Sequence, residues 1–464
     1  MSFIAAMVVS AMLAVAVVCL VIAVRYYHYR FVSFVRHEHT ADMDSRSPEG
    51  YSDKQFYYYG ETITFFLRSN TEHNTLCIRR MSGPLEYREI YTSTFGLEDQ
   101  AVFDDVSDRG CAWKASLKVT VGDEFTSGYY HSLLANEESG QTFGIYFIVG
   151  DIQPGAIVVV APVSTWAAYN SWGGRSLYQN KSANKTVYDV STERPNTAFE
   201  INHAIDVEAN IFNWFAKSYS NVSVIPDYLL EDPRNLKRCR LLILGYHCEY
   251  ISMEMHQAVR AVIERGISVI SLGANQLYWV VRWNAEHTRM ECRKDLTFFK
   301  SAFSYGGMWK HHFRSPKKYL GGDYNPLGMH TFAPYRLMAK KNHWIIAGLN
   351  IQPGDLFGMA GIDGKPICGA ETDKAKQNGE NLEIIAHGMN CESESIGNIY
   401  DPSDSRWDGA GGGDMTIVYR SNGAAVLNTA SIHSGAGLGF DPVFTGIIHN
   451  FVKRYGSVTL QDTQ

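Results

Sequence analysis

The first residues set the pattern. Residues 1–24 are apolar or small and carry no charged side chain. That run is long enough to cross a hydrocarbon core, and Arg25, Arg30 and Arg36 follow it. The pattern predicts a single transmembrane helix as an N-terminal anchor. The positive-inside rule favours the cytoplasm for the rest of the chain. The sequons at Asn180, Asn184 and Asn221 point the other way, and a cleaved signal peptide is the rival reading. Residues 25–51 are polar and read as a juxtamembrane linker. Then the period changes to two. Residues 61–68 (ETITFFLR), 115–121 (ASLKVTV) and 143–149 (FGIYFIV) are β-branched and aromatic runs, and Leu117, Val119 and Val121 alternate with polar neighbours. An antiparallel, immunoglobulin-like β-sandwich over residues 52–150 is the simplest architecture.

After Pro154 the pattern changes again. Residues 156–161 (AIVVVA) form a continuous apolar run, as expected of a strand covered on both faces. Val207, Ile211, Trp214 and Phe215 recur at helical spacing. Short apolar strands follow at 222–225 and 241–244. A helix then starts near Ser252, presents Met255, Val259, Val262 and Ile263, and stops at Gly266. Residues 267–272 (ISVISL) are the next strand. This succession predicts an α/β unit over 151–458 with an open, mostly parallel sheet and helices on both faces. Residues 275–410 are irregular, aromatic and Gly-rich, and read as insertions over the carboxyl edge of that sheet. Strands at 415–419 and 423–427 and a last helix opened by Asp441-Pro442 complete it.

Composition excludes several classes. The 464-residue chain is 45% hydrophobic and has a formal net charge of −6. It can bury a large core, and it lacks the basic surplus of a general nucleic-acid binder. The eight Cys are scattered without a CxxC pair, so neither a zinc knuckle nor a dense disulfide scaffold fits. The stretch 409–414 (GAGGGD) lacks a following GK[ST] and is a turn rather than a phosphate loop.

In open α/β sheets, ligands bind outside the carboxyl ends of strands. Three polar, aromatic segments fall at such ends: 164–178 (STWAAYNSWGGRSLY), 245–250 (GYHCEY) and 273–279 (GANQLYW). The second admits two sharp readings. Cys248 on a strand-to-helix elbow would be a nucleophile, although no G-x-C-x-G brackets it. Alternatively, His247 and Glu249, two apart, project to one side and suit a metal ligand with an acid–base partner. A structural His beside a helix-capping Glu is the plain alternative.

These three motifs, in this order and spacing, resemble the large-subunit catalytic domain of N,N-dimethylformamidase over roughly residues 55–455. The resemblance implies a β-sandwich joined to a domain similar to class I glutamine amidotransferases. It also implies a mononuclear iron centre, ferric in charge balance, held by two Tyr phenolates and one carboxylate. Carried across, Glu249 and Tyr169 match two of the ligands. Tyr130, in Ser127-Gly128-Tyr129-Tyr130, matches the third, with Tyr129 as its substitute because neighbours on a strand face opposite ways. His247 matches the family's histidine near the metal and Asn275 a polar pocket residue. Glu371, in Cys368-Gly-Ala-Glu371, matches a later acidic residue and is a candidate general base.

Hard oxygen donors suit a hard cation, which would polarise an amide carbonyl and acidify a bound water. His247 or Glu371 would then move the proton. The implied activity is hydrolysis of a small, non-peptide amide by a homo-oligomer that also uses a small partner subunit. An anchor stands where the family has a lectin-like region, which leaves dimethylformamide itself open as substrate. The rival readings are a cysteine hydrolase using Cys248 and a non-catalytic, membrane-tethered binding domain.

Overall fold

Alternating burial builds the first layer. In the computed structural model, which describes residues 48–83, 86–177, 187–201, 204–300, 304–375, 381–391 and 411–456, eight strands come first. They are β1 (Glu49–Ser52), β2 (Phe56–Tyr57), β3 (Thr62–Arg68), β4 (Asn74–Gly83), β5 (Glu86–Phe95), β6 (Leu117–Thr120), β7 (Gly128–Asn136) and β8 (Thr142–Val149). They form two sheets, in the orders β1-β3-β6 and β2-β8-β7-β4-β5. Every pairing is antiparallel except β2 with β8. Ile63, Phe65, Leu76, Ile78, Leu134 and Phe147 fill the space between the sheets. Burying such side chains contributes roughly 1.5–3 kcal/mol each.

The second layer is one nine-stranded sheet. Its strands are β9 (Ile157–Ala161), β10 (Val222–Pro226), β11 (Leu241–Tyr246), β12 (Ser268–Gly273), β13 (Tyr335–Leu337), β14 (Leu356–Phe357), β15 (Leu382–Gly388), β16 (Asp414–Tyr419) and β17 (Ala425–Asn428), in the order β10-β9-β11-β12-β17-β16-β15-β13-β14. Strands β9 to β12 are buried along nearly their whole length. From β10 to β17 neighbours run parallel, and from β17 to β14 antiparallel. The chain leaves β9 for its neighbour on one side and then returns to its other side as β11. The crevice outside the carboxyl ends of β9 and β11 is therefore the point where strand order reverses.

Four α-helices among the described residues exceed four residues: α1 (Val163–Tyr169), α2 (Ile205–Ser218), α3 (Met253–Glu264) and α4 (Pro442–Tyr455). Ser252 caps α3, its hydroxyl accepting from the Met255 N–H at 3.3 Å. Asp441 caps α4 through the Phe444 N–H at 2.8 Å. A further mixed sheet joins Tyr250–Ile251, Trp279–Trp283, Arg289–Cys292 and Asp189–Ser191.

Two expectations are corrected here. The chain is mostly β, with several mixed sheets and few helices, so the expected class, an α/β amidotransferase-like unit around a mostly parallel sheet, does not describe it. Half of the large sheet is antiparallel, because the irregular 275–410 region supplies three of its strands. The single-pass membrane placement is not supported either: no helix of the described residues is long and apolar enough to cross a membrane. Residues 1–24, on which the anchor was expected, lie outside the described residues. The last residues of the expected linker form β1.

Two buried histidines couple this packing to pH. His131 stacks on Tyr146 at 4.5 Å, and its Nδ1 accepts from Arg79 at 2.9 Å. His256 stacks on Trp309 at 4.4 Å. Burial pushes both down to about 4, helped by nearby arginines. The folded chain thus binds fewer protons than the unfolded one. This stability is fully present above the ordinary histidine value and is lost as pH falls through it towards 4. Chemical denaturation at pH 7 and pH 5 is expected to show each histidine costing about 2 kcal/mol at the lower pH. His256→Phe should remove its share of that loss; an unchanged pH dependence would refute the assignment.

Candidate active site

The site grows from the carboxyl ends of β9, β11 and β12. Helix α1 follows β9 and carries Tyr169 in its last turn. Its N-terminus is held from outside by buried Asp227, whose carboxylate accepts the Ser164 N–H at 3.0 and 3.1 Å. Thr165, one residue further on, fixes the next loop: its hydroxyl donates to the His247 carbonyl at 2.6 Å and accepts the Glu249 N–H at 3.2 Å. One side chain on α1 thereby sets the His247–Glu249 turn against Tyr169. Beyond α1, buried Arg194 donates to the carbonyls of Asn170, Trp172 and Arg175 and so fixes the path of the loop leaving Tyr169.

The loops after β11 and β12 are stitched together through their backbones. Leu277 N–H donates to the Cys248 carbonyl at 2.8 Å, and Tyr278 and Trp279 both donate to that of Glu249. Gln276 brackets the same turn, accepting from the Cys248 N–H at 2.6 Å and donating to the Tyr246 carbonyl. Tyr246, Asn275, Leu277 and Ala370 all sit at positive φ between 51° and 62°. Such conformations cost on the order of 1–3 kcal/mol each and gather where a structure holds side chains to a purpose.

The side chains converge. Tyr169 Oη donates to Glu249 Oε2 at 2.9 Å and lies 3.4 Å from His247 Nδ1. His247 Nε2 stands 3.6 Å from Glu249 Oε2 and 3.7 Å from Glu371 Oε2. Asn275 Nδ2 donates to Glu371 Oε2 at 2.8 Å, while its backbone N–H donates to Asp373 at 2.8 Å. His247, Glu249 and Asn275 are almost fully buried, and Glu371 is partly open. Burial, and then the charge of Glu249, pushes Glu371 up to about 8 against the Asn275 hydrogen bond. Burial also raises Asp373 to about 6. Five of the six expected site residues therefore meet.

Tyr130 does not join them. Its hydroxyl donates to the Thr126 carbonyl at 2.7 Å and accepts the Thr126 N–H at 2.8 Å, and its ring stacks on Phe147 inside the sandwich. Tyr129, on the opposite face of β7, points towards the large sheet and packs on Trp166 and Phe212. The expected donor set is thus incomplete. Among the described residues no group of three or more His, Cys, Asp or Glu side chains gathers to hold a metal. What remains, a phenol and a carboxylate in hydrogen-bond contact, is of the type a hard cation takes. Cys248 is fully buried, and burial raises its thiol well above the ordinary value. That is the opposite of an activated nucleophile.

Some contributors carry no local signal. Lys294 places its ammonium 4.8 Å from the centre of the Trp279 ring and 5.3 Å from that of Tyr250. Burial lowers it, while Glu249 and Glu371 act in the opposite direction. Asp373 and Thr165 are equally ordinary in the sequence.

Acid–base side chains gathered at the strand ends of a β-sheet scaffold form the candidate catalytic site. The family described as N,N-dimethylformamidase beta subunit-like, C-terminal, matches residues 82–447, most of the chain, and the protein belongs to that family. This is a family of dimethylformamidase-like hydrolases, and its beta-subunit name is consistent with a partner subunit. No curated protein matches the chain. Among solved structures, a Parabacteroides merdae beta-glucuronidase with glycerol in its active site is 9% identical, with a TM-score of 0.14; the match covers 45% of this chain and 21% of that one. A likeness that slight carries no argument.

Thr165→Val keeps the shape but leaves the buried His247 carbonyl and Glu249 N–H with only their bond to each other. It is expected to lower stability by about 1–3 kcal/mol in urea unfolding. A loss below about 0.5 kcal/mol would show that the His247–Glu249 turn stands without it.

Proposed function

We propose that this protein hydrolyses the C–N bond of a small, non-peptide amide, as a dimethylformamidase-like amidohydrolase. The observation that carries the reading is the meeting of Tyr169, His247, Glu249, Asn275 and Glu371 beyond the carboxyl ends of β9, β11 and β12. Tyr169 and Glu249 are the pair that would hold the metal ion, iron by the family resemblance. When bound, that ion supplies Lewis-acid polarisation of the amide carbonyl and acidification of water.

The chain's own residues do the rest. His247 Nε2 faces both Glu249 and Glu371, so this one nitrogen can take a proton from water and pass it to Glu371. Glu371, partly open, is placed to deliver that proton to the departing amine. Asn275 keeps Glu371 in position through its Nδ2–H. Lys294 offsets part of the negative charge of the two glutamates. Water adds to the carbonyl carbon, the C–N bond breaks, and the products are a carboxylic acid and an amine. The low exposure of His247 and Glu249 excludes bulk water, which strengthens each of these interactions. A small partner subunit and assembly of several copies are part of the same proposal.

The test uses the purified full chain with a panel of formamides and acetamides. Glu249→Gln is expected to lower kcat/KM by at least about a hundredfold, and Tyr169→Phe to lower the iron content by elemental analysis together with any phenolate-to-iron absorption band. Cys248→Ser should stay within about threefold of the parent. Loss of turnover in Cys248→Ser with retention in Glu249→Gln would overturn the reading.

A further inference from the structure

A pocket of about 280 Å³ adjoins the cluster. Asn275 and Asp373 form one end of it, and Tyr278, Met308, Tyr324 and Pro326 give it apolar and aromatic walls. Tyr278 and Tyr324 meet edge to face, ring centres 5.6 Å apart. A cavity of about 150 Å³ already accepts benzene, so this space far exceeds the two methyl groups of a dimethylamide.

Two features say which part of a substrate enters. Asn275 is 5% exposed, and its Oδ1 has no hydrogen-bond partner among the described residues. With Glu371 ionised, the Asn275 Nδ2–H donates to its carboxylate, which leaves Oδ1 as the open acceptor. A buried acceptor left open in this way is destabilising until a donor arrives. The walls also carry two carboxylates, Asp323 and Asp373, against one exposed cation, Lys310. That balance favours an amine over a carboxylic acid.

Building on the hydrolase reading, we propose that the pocket receives the amine side of a secondary amide whose nitrogen bears a ring-sized apolar group. The N–H donates to Asn275 Oδ1, and the ring packs against the aromatic wall that Tyr278 and Tyr324 form together. A tertiary dimethylamide has no N–H to offer and leaves most of the space unfilled.

Binding and turnover test the two readings separately, with the full chain. By ligand-observed NMR titration, benzylamine is expected to bind about tenfold more tightly than dimethylamine. In turnover, N-benzylformamide should exceed both N,N-dimethylformamide and N-benzyl-N-methylformamide in kcat/KM by about tenfold. Tyr324→Ala should reduce the benzylamine preference, and Met308→Trp, which fills the pocket from another wall, should do the same if the first variant fails to fold. Benzylamine preference without hydrolysis of any amide would retain the pocket and sink the hydrolase reading. Hydrolysis with equal or better use of dimethylformamide, or a benzylamine preference untouched by either folded variant, would sink the pocket and leave the hydrolase reading standing.

Discussion

Everything at the site depends on how closely two parallel strands approach at their ends. Tyr246 and Gly273 are register partners at the last positions of β11 and β12. A Cβ on Gly273 would stand 1.8 Å from the Tyr246 carbonyl oxygen. No side chain survives such an approach, so only glycine lets both strands run to the same level. The two loops then leave from one place, and their backbones can bond directly to each other. His247 and Glu249 come from one loop and Asn275 from the other. The left-handed conformations of Tyr246, Asn275 and Leu277 are the local strain of turning so sharply there.

Electrostatics follows from that geometry. Glu249, Glu371 and Asp373 are brought together in a poorly hydrated space, where like charges resist ionising side by side. His247, Lys294 and the hydrogen bonds from Asn275 are the compensating groups. Acid–base chemistry needs groups whose protonation is balanced between such influences. The arrangement obtains that balance from position rather than from unusual residues. Thr165 and Arg194 matter for the same reason: neither reacts, but each fixes backbone from which a reacting group hangs.

The sequence made part of this legible. His247, Glu249 and Asn275 lie in short motifs straight after strongly apolar strands, and strand ends are where open sheets place their chemistry. Helices α3 and α4 were readable from their caps. The choice between Tyr129 and Tyr130 was not, because it turns on which face of β7 meets which core, and both faces are buried. The antiparallel half of the large sheet was hidden too. Its strand β15 carries a register shift between Ile384 and Ala386, which breaks the period of two. Lys294 and Asp373 reach the site only through long-range folding of the 275–410 region, and no spacing announces them. A class drawn from the early βαβ pattern therefore missed how much of the molecule is β.

The cysteines have a consequence of a different kind. Among the described ones, Cys111, Cys239, Cys248, Cys292 and Cys368 are buried thiols. Burial lifts four of these thiols well above their ordinary range, so in the native state they are almost inert to oxidants. Unfolding releases all of them at once. Where an oxidant is present, a chain that opens exposes thiols that can be crosslinked. Its survival there is then governed by how often it opens, a kinetic property, rather than by the free-energy difference between its states.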